Sequence, residues 1–472
     1  MINKTADELD FLDITAIHAR LRRGELSSVE VTQRCTDRIA TLDPELNAVI
    51  ALDPTARTQA AESDLRHAHG ADLGPLDGIP ILIKDNIDTA HLASTAGSKL
   101  LAGITPTRDA DVVTRLRAAG AIVLGKTNLS EWSNFRSIDA TEGWSAVGGQ
   151  THHPYLRGRS PWGSSSGSAV AVAVGMAPLA LGTETDGSIV GPAGACGVVG
   201  VKPEHGLLPL RGVAGVSSAI DTVGPLASRV RDAAICLAVL ADLPELLLPT
   251  MPGGYLRVGI WRPAGLRRDV AALLLPVMEA LADNGINVID IEIDVPDEIV
   301  ADGMFALYSE FRDTIENYLR DRGGVPASLP DLIAANDDDP DELALFGQDL
   351  FERVAGLSGA SRPAARAARD RARAASRTVL GDALRDNGID VILAPTNEPA
   401  WKIDYDRGDT GRMSTSTLPA LAGRPNVSIP AGLVDGLPVG MSLFGPATAT
   451  RLLGMAVRVE GSLGPRPWPD IL

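Results

Sequence analysis

Residues 164–188, SSSGSAVAVAVGMAPLALGTETDGS, change character three times in a short span. A serine-rich loop runs into alternating Ala and Val with no polar face, which is the pattern of an element buried on all sides. An apolar strand follows, LAL, and then a polar turn containing Gly187 and Ser188. The stretch reads as loop, buried helix, strand, loop. Upstream, DADVVTRLRAAGAIVLGKTN (109–128) reads as helix, glycine turn, strand, loop, and VVGVKP (198–203) reads as a further strand. This alternation predicts an α/β fold, a mostly buried sheet with helices on both faces.

Other segments extend the scheme. Ser27 and Glu30 form a capping box opening SVEVTQRCTDRIATLD, whose helix is expected to stop at Asp43-Pro44. GPLDGIPILIKDNID (74–88) predicts a strand over Ile79 to Ile83 with a polar exit at Lys84. From about 265 to 390 the character turns helical, with VAALLLPVMEALADNG and SRPAARAARDRARAASRTVLGDALRDNG as long helices. Between them NDDDPDE (336–342) is expected to be a solvated loop. DVILAPTN, NVSIPAG and LPVGMSLFG return to strands. With no internal repeat or low-complexity linker, one domain over 1–472 is expected.

The totals narrow the function. The chain has 472 residues and a net charge of −17. No nucleic-acid partner is expected, because counterion release needs clustered Lys and Arg. The N-terminus, MINKTADELDFLDITAIHARLRRG, lacks a signal-peptide pattern, and no apolar run approaches the ~20 residues of a membrane span. A cytoplasmic protein without a membrane partner is expected. Cys35, Cys196 and Cys236 are too few and too scattered for a disulfide framework. His152-His153 and HAH (67–69) have no acidic or cysteine ligands at metal spacing, so no metal is expected.

Polar groups at strand ends are the candidate site, because open α/β sheets bind ligands at the carboxyl ends of their strands. Lys84, Lys126, the turn 183–188 and Thr396-Asn397 occupy such positions. Gly187 before Ser188 can turn backbone N–H groups inward, as an oxyanion hole requires, although a lone Gly-Ser turn is common without chemistry. A nucleophilic serine needs a base, and no histidine lies between 154 and 204.

GIPILIKD (78–85), WGSSSGS (162–168) and GTETDGSIVGPAGACGVVGVKP (182–203) together resemble the amidase signature family. Its usual text runs G-x-P-x-x-x-K-D, GGSSGGS and GTDTGGSIRxPA. The resemblance extends through LDPELNAVIALDP, RDADVVTRLRAAGAIVLGKTNLSEWSNFRS and GLPVGMSLFGP, so it spans nearly the whole chain. NLSEWSNFRS, GWSAVGGQT, TETDGS and FGQDLFE are most similar to peptide-amidase-like members.

The resemblance implies the amidase signature fold, a large central mixed β-sheet covered by helices on both faces. It also implies a signature core at about 75–230 and a variable helical region at about 265–390. The implied activity is cofactor-free hydrolysis of a small-molecule or peptide amide through an acyl-enzyme. Ser188 would be the nucleophile, Ser164 the proton relay on a cis peptide after Gly163, and Lys84 the base. Backbone N–H groups of Thr185, Asp186, Gly187 and Ser188 would form the oxyanion hole, with Ser165 in support. Lys84 would then need its pKa lowered from about 10.4 to roughly 7–8, a cost of about 4 kcal/mol that burial can impose.

Asp186 departs from the usual glycine. A carboxylate about 4 Å from the oxyanion would cost about 4 kcal/mol, so its side chain is expected to turn away, toward the serine-rich loop. Trp162 and Ser166 also replace glycines, and Trp162 could line the entrance or pack the loop. Lys126 is read as structural, and Cys196 as packing rather than as a nucleophile. Tyr308, Glu310, Phe311 and residues 346–348 could approach substrate or face the core. A homodimer is the default assembly. Two rival functions share the motifs: an amidotransferase A-type subunit delivering ammonia to a partner, and a catalytically silent binding protein on the same fold.

Overall fold

The computed structural model describes residues 13–249, 255–324, 326–357, 362–411 and 415–470. The first part of the N-terminal segment read for targeting signals therefore lies outside the described residues. Eleven strands join in one sheet in the order β1 (Val49–Leu52), β3 (Ile122–Thr127), β2 (Pro80–Lys84), β6 (Leu179–Glu184), β8 (Thr222–Ala227), β7 (Val199–Lys202), β12 (Asn426–Val434), β13 (Leu437–Phe444), β11 (Val391–Pro395), β9 (Arg257–Trp261) and β10 (Asn287–Ile291). A short hairpin, β4 (Trp144–Ser145) with β5 (Gly149–Gln150), stands apart. The sheet is mixed: β2 runs parallel to β3 and β6, while β8 lies antiparallel to β6 and β7. Strands β2, β3, β6, β7, β8 and β11 are buried along their whole length, which explains their continuous apolar runs.

The helix Ser166–Ala173 is buried at every position, as its featureless Ala/Val pattern predicts. Its close fit depends on Gly167, whose amide donates to the Asn128 carbonyl at 3.1 Å. A Cβ there would meet the Ala48 carbonyl oxygen at 2.3 Å and Asn128 backbone atoms at 2.6 and 2.7 Å. Backbone on both sides cannot give way as a side chain can. Gly167→Ala is expected to cost about 2 kcal/mol or more, read as a lowered midpoint of thermal or urea unfolding.

Three segments depart from expectation. The helix opened by the Ser27–Glu30 capping box does not stop at Pro44 but runs over Ser28–Leu46. In its last turn, Pro44 forgoes only the bond to residue 40, and the real stop is Asn47 in the left-handed conformation. The Asp43 carboxylate then accepts from the Ala48 amide at 2.7 Å, satisfying the chain beyond the helix. The acidic run 336–342 is not uniformly solvated: Asp341 is exposed, but Glu342 is fully buried, where Arg136 donates to it at 3.2 Å. The middle region, with its helices Arg268–Asp283, Asp297–Arg322 and Arg362–Asp386, is not purely helical: it contributes β10 to the sheet edge, paired with β9, which lies just before the region. No described helix is long and apolar enough to cross a membrane.

Candidate active site

Parallel pairing of β2 with β3 and β6 brings the carboxyl ends of these strands together. Lys84 is the last residue of β2 and is fully buried. Its Nζ lies 2.8 Å from Ser164 Oγ and 2.9 Å from Thr183 Oγ1, and donates weakly to the Thr183 carbonyl at 3.4 Å. The neighbouring Asp85 faces Lys126, at 3.6 Å. Lys126 donates to the Ile87 carbonyl and to Ser94 Oγ, a wholly structural set of partners.

Ser164 is buried and follows a cis peptide bond from Gly163. Its carbonyl accepts from the Ser130 amide at 3.1 Å. Ser165 ties the serine loop to both the end of β6 and the turn beyond it: its amide donates to the Ser188 carbonyl at 3.1 Å, and its hydroxyl donates to the Thr183 carbonyl at 3.1 Å. Ser165 thus bonds to backbone of the strand and turn, rather than to the Ser164 hydroxyl. Ser188 is half-buried, and so is the most accessible of Lys84, Ser164 and Ser188. Gly187 turns the chain at φ +84°, and its carbonyl accepts from the Gly191 amide at 2.7 Å.

The Asp186 carboxylate is held not by the serine-rich loop but by a remote segment that lies beside Gly187. The carboxylate accepts from Ser416 Oγ at 2.5 Å and Thr417 Oγ1 at 2.8 Å, at the start of the helix Thr417–Ala422. The donors lie 230 and 231 residues away in sequence, which is why no local pattern points to them. Trp162 is a packing residue: it is 9% exposed, with its ring 5.0 Å from that of Trp401 and Ala195 completing the cluster. Ser166 opens the buried helix, and nothing in its contacts explains why serine replaces glycine there. Cys196 is buried with its thiol pKa pushed up by burial. Phe311 is core, stacked against Phe351, and Gln348 is buried against Asn336.

Burial dominates the electrostatics. It pulls the Lys84 ammonium down to about 7, against the opposing pull of Asp221 and Glu184. Asp221 itself is pushed up to about 6 by burial, opposed by hydrogen bonds from Thr185, Val216 and Ser217 and by the charge of Lys84. Of four further residues of this constellation, Thr183 and Glu184 lie within the GTETDGS motif without a role assigned to them, and Asn86 and Asp221 lie outside the motifs. Thr183 and Asn86 bond to each other at 3.0 Å beside Lys84. Glu184 accepts from the Ile189 and Val190 amides at 2.7 and 2.9 Å, shaping the backbone just past Ser188. Asp221 accepts from Thr185 Oγ1 at 2.6 Å. A carboxylate ending an apolar strand, as Glu184 does, is the one local signal available. A cavity of about 160 Å³ is lined by Asp221, Arg211, Tyr318 and Arg322 among others, but not by Lys84, Ser164 or Ser188.

The arrangement offers a buried amine of lowered pKa in contact with the Ser164 and Thr183 hydroxyls, beside a glycine turn that presents the more accessible Ser188 hydroxyl. Such a set can move a proton and supply an oxygen nucleophile without a metal ligand. Known proteins resemble this chain over most of its length. The native peptide amidase of Stenotrophomonas maltophilia is 40% identical and superposes with a TM-score of 0.89, covering 97% of this chain and 98% of its own. A glutamyl-tRNA(Gln) amidotransferase subunit from Roseiflexus castenholzii is 36% identical over 464 residues, 92% of each chain. A probable amidase of Arabidopsis thaliana is 33% identical over 459 residues, 92% of this chain and 86% of its own. Residues 30–453 match the Amidase family, and the chain belongs to that family of amide hydrolases.

Proposed function

We propose that this chain, acting alone, hydrolyses a terminal amide of a peptide or a small amide of similar shape, through an acyl-enzyme on Ser188. The observation that carries this reading is the buried Lys84 Nζ at 2.8 Å from Ser164 Oγ. At that separation the amine donates when charged and accepts when neutral. Neutral Lys84 takes the proton of Ser164, Ser164 takes that of Ser188, and Ser188 Oγ attacks the amide carbonyl. The oxyanion forms against the N–H groups of the turn Thr185 to Ser188, where preorganised dipoles stabilise developing charge. The same relay returns the proton to the leaving nitrogen, and water then cleaves the ester by the reverse path. Glu184 and Ser165 hold the backbone on either side of Ser188 and do not touch the reacting atoms.

The overall similarity to a peptide amidase across 97% of the chain favours a peptide amide as substrate. The similarity to amidotransferase subunits over 92% of the chain supports a second reading, a glutaminase that passes ammonia to partner subunits. The two separate in one assay. The purified chain is expected to release ammonia from C-terminal peptide amides at a kcat/KM at least about tenfold above that for L-glutamine, a margin of about 1.4 kcal/mol in transition-state binding. A preference for glutamine, or activity only with added partner subunits, would overturn the first reading.

A further inference from the structure

Asp221, just before β8, is 5% exposed and divides its carboxylate between two loops. Oδ1 accepts from Thr185 Oγ1 at 2.6 Å, and Oδ2 accepts from the Val216 and Ser217 amides at 2.8 and 3.0 Å. The first loop is the turn that carries Ser188. The second is anchored beside Lys84, because Asn86 Nδ2 donates to the Ala214 carbonyl at 2.9 Å and to Thr183 Oγ1 at 3.0 Å. It is also anchored to the helical middle region, because Ser217 Oγ donates to Glu310 at 2.5 Å and Glu310 pairs with Arg369 at 3.0 Å. One buried carboxylate therefore joins the nucleophile turn, the Lys84 surroundings and the variable helices.

We propose that Asp221 is a positioning residue for amide hydrolysis, fixing the oxyanion turn through Thr185 while its negative charge acts on Lys84. The inference rests on the roles given above to Lys84 and the turn. Displacing an oxyanion donor by even an ångström costs turnover steeply, so the Thr185 anchor acts on kcat. The charge acts separately. An anion near a buried amine favours the protonated form, so Asp221 makes Lys84 harder to discharge. Glu184 is the other carboxylate that acts on Lys84 in this sense. Asp221 in turn is faced by His205, whose Nδ1 lies 3.3 Å from its carbonyl oxygen and whose pKa is lowered by burial. Glu310 reaches it through Ser217, and Arg211 and Arg322 line the same cavity.

The test is the pH profile of kcat/KM, with kcat and KM measured separately, on a C-terminal peptide amide. Asp221→Asn is expected to lower kcat about tenfold or more and to move the acid midpoint about half a unit to lower pH. Thr185→Val is expected to lower kcat about tenfold while leaving the midpoint in place, and Thr185→Ser, which keeps the hydroxyl, to lose less. A carboxylate that merely staples the 214–217 loop would leave the midpoint of Asp221→Asn where it is in the parent, and that result overturns the inference. Full turnover in Thr185→Val overturns it as well, and this variant decides the matter if Asp221→Asn does not fold. A parent profile with no acid limb near neutrality overturns the base role of Lys84 and this inference with it. A limb that is present but unmoved by Asp221→Asn overturns the inference alone.

Discussion

Ser188→Ala is expected to lower kcat on a peptide amide by at least about 10⁴-fold, with KM changed by no more than about threefold. The size follows from what is removed. Without the Ser188 oxygen there is no atom to form the acyl-enzyme, and residual catalysis comes only from the oxyanion turn and from binding. KM stays close because the side chain is small and half-exposed, and the turn is held by backbone bonds that the substitution leaves intact. The Ser165 amide still donates to the carbonyl of residue 188, and Glu184 still caps the next two amides. Ammonia release measures turnover, and circular dichroism checks that the fold is kept. A fluorophosphonate probe followed by peptide mass mapping supplies an independent readout, with the adduct expected on Ser188 in the parent and absent in the variant. An adduct on Ser164, or turnover within about tenfold of the parent, would falsify the assignment of nucleophile.

Strand ends make the candidate positions of this site visible in the sequence, and the resemblance to the amidase signature motifs selects among them. Continuous apolar runs place β2 and β6 in the sheet, and the first polar residues after them, Lys84 and 183–188, fall at one edge. The glycine turn and the serine-rich loop are legible for the same reason, since both are punctuation between buried elements. What is not legible depends on contacts between distant segments. Nothing local to Asp186 says that its partners are Ser416 and Thr417, and nothing around Asp221 says that it meets Thr185. Glu342 looks like one more solvated acid until Arg136, 206 residues earlier in the chain, is found beside it. Pro44 misleads for a different reason, because a proline in the last turn of a helix breaks only a bond at the helix end, so its position decides its effect. Periodicity reports which face is buried, and not which remote side chain waits there.

For Lys84 the expected result is a rate that rises with pH through about 7 and then levels, and a loss of about 10³-fold or more near neutrality in Lys84→Ala. At pH 8 an amine with the ordinary pKa of about 10.4 is only ~0.4% neutral, whereas one titrating at about 7 is ~90% neutral, a gain of about two hundredfold in usable base. Lys84→Arg, whose guanidinium stays charged, is expected to be as inactive as Lys84→Ala across the whole range. The same burial has a stability signature of fixed sign. Below about pH 7 the amine is protonated in both folded and unfolded chains, so the full cost of burying the charge is present. Between about 7 and 10.4 the unfolded chain still binds the proton that the folded chain has released, so stability rises with pH across this window. Above it both forms are neutral and the cost is gone. Lys84→Met removes the charge altogether, so its unfolding temperature is expected to exceed that of the parent by more at pH 6 than at pH 9. Thermal unfolding at the two pH values measures the difference without reference to activity. An unfolding-temperature difference that is the same at both values would mean that Lys84 carries no strained charge, and the acid limb of the rate profile would then belong to another group.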